Sequence, residues 1–354
     1  MIAIAAAELH DLLARLFRAG GSEPAEAEAV AAHLVEANLV GHDSHGAIRA
    51  PRYLAWVKAG ELLPNRHAAV AIDAGPLVVV DGGFGYGQVI GAEAMACAIA
   101  RVRTHGLALV GIRNSGHLGR IGAWAETLAG AGLVSVHFVN TSGYGILGAP
   151  HGATERRLSA NPVAAGTPGP DGPIVLDIAT SAIAEGKIQL ARNKGEALPP
   201  GLVLDGEGRP LADPAAFYRD PPGAILPFGG HKGSGLSVFC EILAGSLTGG
   251  GSSHPASPSA WRLVNNMLTL AVDPARLGDA HGFAADVARL AVWVRSARPA
   301  VPGEPPLLPG EIERRTRAVR LRDGIPLDHE TVRQLAEAAA AYGVALPAGP
   351  AEPV

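Results

Sequence analysis

From about residue 69 onward, short apolar and β-branched runs alternate with helix-length segments, and this alternation constrains the fold more than any other feature of the chain. Strands are expected over residues 70–73, 77–81, 107–113, 133–140, 174–180 and 267–273. Helices are expected near 88–105, 120–130, 182–192, 234–247 and 283–296. Strands separated by helices of this length build an α/β layer around a largely parallel or mixed sheet flanked by helices. The first 60 residues read differently. Leu9, Leu12, Leu13, Leu16 and Phe17 recur at helical spacing before Gly20 and Gly21, and Ser22 offers an N-cap to a second helix ending at Val40 and Gly41. A third helix is expected from Ser44, carrying Ile48, Tyr53, Leu54 and Val57 as far as Gly60. A last one runs from an Asp328 cap to Tyr342 and Gly343. The expected organisation is a helical domain of residues 1–68 with 300–354, and an α/β region over 69–299 that holds cofactor and substrate.

Composition narrows the partners. Lys and Arg number 29 against 33 Asp and Glu, a net charge of -4, which argues against nucleic acid held by phosphate neutralisation and leaves a small molecule. Charged residues make up 18%, below the roughly 25% of an average soluble protein, so an apolar oligomer interface is expected. In MIAIAAAELHDLL the apolar run is broken by Glu8 and Asp11, unlike a signal peptide, and no run is long enough to span a membrane. Cys97 and Cys240 sit in apolar helical patterns as buried small hydrophobes, which fits a reducing cytoplasm.

Gly143, Gly145 and Gly148 spell G-x-G-x-x-G directly after a strand. A dinucleotide fingerprint needs its third glycine to open a helix, and Ala149-Pro150-His151-Gly152 cannot start one, so no Rossmann site is expected there. In Gly229-Gly230-His231-Lys232-Gly233 the order is wrong for a P-loop, although Lys232 precedes a helix start suited to anions. His45 and Arg49 lie four apart, and on a helix begun at Ser44 they would project from one face as a proton-transfer group and a forked carboxylate clamp. Taken alone, such a pair is more often surface decoration. His42 and His45 make an H-x-x-H, but no Cys or acid cluster completes a metal site, so no metal is expected. Asn114 to Arg120 follow a strand at its carboxyl end, where α/β folds place ligands. Asp177, in an apolar strand, needs a hydroxyl or imidazole partner, or else it or Ser181 caps a helix.

In this order SHGAIRAPRYL, NSGHLGRIGAWAE, NTSG, ANPVA, VLDIATSAIAEGKI, LPFGGHKGSGLSVFCEILAG and LPGE resemble the malate/L-lactate dehydrogenase family with the sulfolactate dehydrogenase-like, non-Rossmann fold, over about residues 8 to 345. The resemblance implies a dimeric oxidoreductase that uses NAD or NADP on a small 2-hydroxy or 2-keto acid, or a cyclic 2-imino acid. It implies His45 as proton donor with Ser44 and Asp177 as relay partners, and Arg49, with His117 and Thr141, holding the substrate. It implies a cofactor lining of His117, Leu118, Gly119, Arg120 and Ile121, then Val175, Leu176, Asp177, Ile178, Ala179, Thr180 and Ser181, then His231, Lys232, Pro309, Gly310 and Glu311. His117 is the alternative acid, ranked second because it lacks an arginine four residues on. The rival readings are a metal-dependent hydrolase using the His-rich loops and a non-catalytic ligand-binding protein of the same fold.

Overall fold

The computed structural model describes residues 1–256 and 261–346. Its strands are β1 (Ile2–Ile4), β2 (Ala69–Ala74), β3 (Leu77–Asp81), β4 (Leu107–Ser115), β5 (Val134–Gly143), β6 (Val163–Thr167), β7 (Ile174–Ile178), β8 (Val203–Leu204), β9 (Ala224–Ile225), β10 (Leu263–Val272) and β11 (Ile325–Leu327). Its helices are α1 (Ala6–Ala19), α2 (Pro24–Leu39), α3 (Ala50–Lys58), α4 (Gly87–His105), α5 (Gly122–Gly130), α6 (Glu185–Lys194), α7 (His231–Cys240), α8 (Pro274–Leu277), α9 (Ala280–Arg295), α10 (Glu311–Asp323) and α11 (His329–Ala341).

Seven strands form one mixed sheet in the order β2-β3-β4-β10-β5-β6-β7. Only β3 and β4 pair in parallel, and every other neighbouring pair is antiparallel. The sheet is therefore mixed, not largely parallel. Helices α4 and α5 do connect strands that run the same way, but β10 lies between β4 and β5 against both. All six expected strands form. The shorter β6 lies in ANPVAAGTPG, too poor in β-branched residues to stand out.

The expected third helix is corrected. Two single 3₁₀ turns, over Asp43–His45 and Ala47–Arg49, precede α3. Pro51 is the reason: it lacks a backbone N–H and is tolerated only in a helix's first turn, so no continuous helix can run from Ser44 through it. His45 and Arg49 thus do not share one α-helical face. Similarly, the helix expected over 234–247 starts at His231 and changes at Glu241 into a π-helical turn (Glu241–Ser246). The cap of α2 is Glu23 with Pro24 behind it, not Ser22.

Leu9, Leu13, Phe17, Leu34 and Tyr53 pack with Ile325 and Leu335, so one core cluster joins the two ends of the chain. A second fills the space between the sheet and α4 and α5, with Val78, Val110, Ile90, Met95, Trp124 and Met267. A third gathers Ile188, Val203, Phe217 and Ile225 around α6 and the β8/β9 pair. Cys97 is half-buried and Cys240 buried, both as free thiols. No helix among the described residues is long and apolar enough to cross a membrane.

Candidate active site

The turn that carries Ser44 and His45 closes with short 3₁₀ bonds, from the His45 N–H to the His42 carbonyl and from the Gly46 N–H to the Asp43 carbonyl, and is braced by its neighbours. Asn38 of α2 donates to Asp43 Oδ1 (2.7 Å) and accepts the Ala47 N–H (2.7 Å). Arg320 of α10 pairs with Asp43 and donates to the Asn38 carbonyl. A Cβ on Gly46 would lie 2.2 Å from Asn38 Oδ1, so only glycine lets the turn close on this asparagine. From the other side α6 seats Gly186 against Ser44, where a Cβ would come within 2.6 Å of the serine Cβ.

Within this turn Ser44 Oγ hydrogen-bonds His45 Nδ1 at 3.0 Å, and Arg49 Nε donates to the Ser44 carbonyl. The His45 ring lies nearly parallel to that of His117, with centroids 5.5 Å apart and an interplanar angle of 15°. Both rings and Arg49 are half-buried. Burial first, and the positive charge of Arg49 second, hold both imidazoles well below their ordinary pKa, so each is neutral at pH 7. Two imidazoles and one guanidinium therefore meet at one place, although not through helix periodicity.

Tyr53 of α3 hydrogen-bonds His117 Nδ1 at 2.6 Å. Gln88 Nε2 donates to the Tyr53 oxygen (3.2 Å) and to the His117 carbonyl (3.3 Å), which fixes the amide's orientation. Burial pushes the Tyr53 phenol up to about 12, so it keeps its proton and donates it to His117 Nδ1. The remaining hydrogen of neutral His117 then sits on Nε2, a donor.

Of the other implied site residues, Val175 to Ile178 lie on β7, Thr141 lies on β5, and His231 and Lys232 open α7. Asp177 accepts the Gly122 N–H at 2.8 Å, opening α5, and burial raises its pKa. Among the described hydrogen bonds it has none to Ser44 or His45. Residues 117–121 pass close by, with the Arg120 N–H on His33 Nε2 (3.1 Å). The side chains of Leu118, Ile121 and Val175 belong to the sheet core, so only their backbone can line a cleft. Arg120 is 2% exposed and its guanidinium is engaged by Glu126. Leu176 and Ile178 alternate along β7 with Val175 and Asp177, and Ala179 follows. Thr180 is held through the Ala160 carbonyl (2.8 Å), and Ser181 bridges to Pro227, just before α7 with its exposed His231 and Lys232. Pro309 accepts the Val175 N–H (3.2 Å), while Glu311 pairs with Arg295. Gly143 ends β5, and Gly148 bridges to Leu158 and Ile225 with no helix opening there.

A family model described as malate/L-lactate dehydrogenase matches residues 4–336. The chain belongs to the malate/L-lactate dehydrogenase family. It is 42% identical over 341 residues to hydroxycarboxylate dehydrogenase B of Escherichia coli, covering 95% of this chain and 93% of that protein. A solved structure of a putative malate/lactate dehydrogenase from E. coli superposes with a TM-score of 0.92 at 41% identity, covering 98% of this chain and 96% of the other. Sulfolactate dehydrogenase from Methanocaldococcus jannaschii gives 0.84 at 31% identity, with 98% of each chain covered. The fold is that of the sulfolactate and malate dehydrogenases, and the chain is an oxidoreductase. Neither the hydrolase reading nor the non-catalytic one finds support, and among the described residues no group of three or more His, Cys, Asp or Glu is placed to hold a metal ion.

Sequence reasoning missed several residues that build this site. Tyr53 reads as a core position, and its polar tip finds His117 only in three dimensions. Asn38, Gln88 and Arg320 carry no motif. Asn265 and Asn266 did leave a signal: two asparagines at the head of an apolar strand, where asparagine is disfavoured.

Proposed function

We propose that the protein interconverts a small 2-keto carboxylate and its 2-hydroxy acid with NADH or NADPH, with His45 as proton donor and Arg49 as carboxylate anchor. The observation that carries this reading is the parallel His45 and His117 pair beside Arg49 in a half-buried site. The relatives, named for hydroxycarboxylate, malate/lactate and sulfolactate, support a substrate with a hydroxyl and an acid group.

Residues along β7 and the start of α7 fit a nicotinamide dinucleotide. The Ser181 hydroxyl is buried without a protein partner. Gly229 and Gly230 adopt positive φ ahead of α7, and their turn accepts the N–H groups of Lys232, Gly233 and Ser234 on the carbonyls of Gly229, Phe228 and Gly230, which fixes the start of the helix beside Lys232. Beside them lies a cleft of about 440 Å³ lined by His151, Leu226, Phe228 and Gly230 among others. These residues, with Lys232, the backbone of 118–121 and the turn at Pro309 and Gly310, would hold the cofactor. Once bound, the cofactor supplies hydride transfer at its nicotinamide ring.

The chain itself supplies orientation and a proton. Arg49 presents a forked donor to the substrate carboxylate and so sets the carbonyl's position. Burial first and the charge of Arg49 second hold His45 neutral; a carboxylate on Arg49 offsets the second and so favours a proton on His45 when substrate is bound. Its Nε2 then protonates the developing alkoxide, while Nδ1–H remains on Ser44 Oγ. His117, its tautomer set by Tyr53, offers Nε2–H as a second donor.

The test is a panel of 2-keto acids and cyclic imino acids assayed by nicotinamide absorbance with each cofactor, with and without chelator. Turnover of a 2-keto acid that survives chelation is expected. Turnover confined to imino acids would move the substrate class, and loss under chelation would restore a metal-dependent reading.

We also propose a homodimer. Trp293, Val292 and Leu290 on α9 are 75%, 67% and 57% exposed, a run of bare apolar groups on one helix suited to a second copy. Light scattering at micromolar concentration is expected to give twice the chain mass, and a monomer mass would refute it.

A further inference from the structure

The structure assigns to Asn265 a positioning role: it turns the Thr141 hydroxyl into a hydrogen-bond donor and ties it to the His117 turn. This rests on the reading that a keto acid occupies the site beside His45 and His117. Asn265 is 3% exposed on β10, the strand between β4 and β5. The ladder to β4 is irregular between Asn265 and Met267, which frees the side chain to reach both neighbours. Its Oδ1 accepts the N–H of Leu118, next to His117, at 2.8 Å. Its Nδ2 donates to Thr141 Oγ1 at 2.8 Å and, more weakly, to the Asn140 carbonyl at 3.3 Å. One side chain therefore bridges the two segments between which substrate would lie.

The orientation of the amide is not free, because only its oxygen can accept from Leu118 and only its nitrogen can serve Thr141. With one lone pair of Thr141 Oγ1 occupied by that N–H, the hydroxyl hydrogen is directed to another acceptor, and a substrate oxygen is the acceptor the site offers. Thr141 is fixed from behind as well. Its N–H donates to Asn161 Oδ1 (3.1 Å), Asn161 Nδ2 donates to Glu241 Oε1 (2.8 Å), and Glu241 Oε2 takes Asn140 and the Ser253 N–H, each at 2.9 Å. The buried Glu241 carboxylate anchors the network where α7 passes into its π turn.

Asn265→Asp keeps the shape and the Leu118 contact but replaces the donor facing Thr141 with an acceptor, which would draw the hydroxyl hydrogen inward. We expect a loss of tenfold or more in kcat/KM for the keto acid, carried chiefly by KM, and an equal loss in affinity for the unreactive analogue oxamate by calorimetry. Cofactor affinity by nicotinamide fluorescence should stay within about twofold. Thr141→Val should show the same loss, and Asn265→Asp added to it should cost less than a further twofold. Thr141→Ser, which keeps the hydroxyl, should stay as sensitive to Asn265→Asp as the wild type is, whatever its own activity. If Asn265→Asp does not fold, Asn265→Ser, too short to bridge both partners, takes its place in the same cycle. Equal losses from the Asn265 change in the wild-type and Thr141→Val backgrounds, or no loss in either, would overturn the inference while leaving the functional reading intact. A wild-type protein that turns over no 2-keto acid would sink the functional reading, and this inference with it.

Discussion

His45→Asn is expected to lower kcat by a factor on the order of 10² or more, the usual contribution of a placed general acid, while cofactor affinity is unchanged. Asparagine fills similar space and can still bond Ser44, so the loss reads proton transfer rather than collapse of the turn. Arg49→Lys should act differently. Lysine carries the charge but not the planar fork, so KM for the keto acid should rise more than kcat falls. The pH profile separates the two further. Burial first and the charge of Arg49 second keep His45 unprotonated until well below pH 6.5, and a substrate carboxylate that offsets Arg49 should draw a proton onto His45 in the wild type but not in His45→Asn. His117→Asn should mainly disturb cofactor binding, as the cofactor lining implied by the family likeness predicts, with Tyr53 and Gln88 left to hold the turn. Near-normal turnover in His45→Asn with abolished turnover in His117→Asn would pass the acid role to His117.

The sequence made the alternation of β3, α4, β4, α5 and β5 legible because each strand is apolar and each spacer has helical length. It could not place β10 between β4 and β5, since pairing partners distant in sequence leave no local periodicity. His45 and Arg49 were legible as residue types and wrong as a helix, because Pro51 forbids a continuous helix and Gly46 lets Asn38 stitch the turn instead. Asp177 shows the same limit. An acid in an apolar strand announced that it needs a partner, and the partner is the Gly122 N–H, a backbone group that no motif could name. What motifs recover is the side chain in contact with the cleft. What holds that side chain, as with Tyr53, Asn38 and Asn265, is long-range hydrogen bonding by residues of ordinary identity.

Acidification is expected to destabilise the protein well above the pH at which ordinary carboxylates protonate. His137 is fully buried on β5, between the hydroxyls of Ser135 (3.0 Å) and Thr269 (2.9 Å), and burial pulls its pKa down to about 3. His33, stacked on Trp124 and accepting the Arg120 N–H, is likewise lowered to about 3 by burial and by Arg120. Such a histidine stays neutral in the native chain but binds a proton in the unfolded chain below about pH 6.5. Unfolding therefore takes up protons, and stability is lost as pH falls from about 6.5 towards 3. For His137 the slope is about 1.4 kcal/mol per pH unit, so by pH 4.5 roughly 3 kcal/mol is gone, a large part of a typical stability of about 5–15 kcal/mol. Asp177 and Glu26, whose pKa values burial raises, work in the opposite direction and soften the total. The contribution of one histidine is isolated by comparing the pH dependence of Tm in wild type and His137→Gln. The variant lacks the titrating ring and should show the shallower decline between pH 6.5 and 4.5 whatever its Tm at neutral pH. Parallel curves would mean that His137 is protonated in the native chain, and that burial does not hold it neutral.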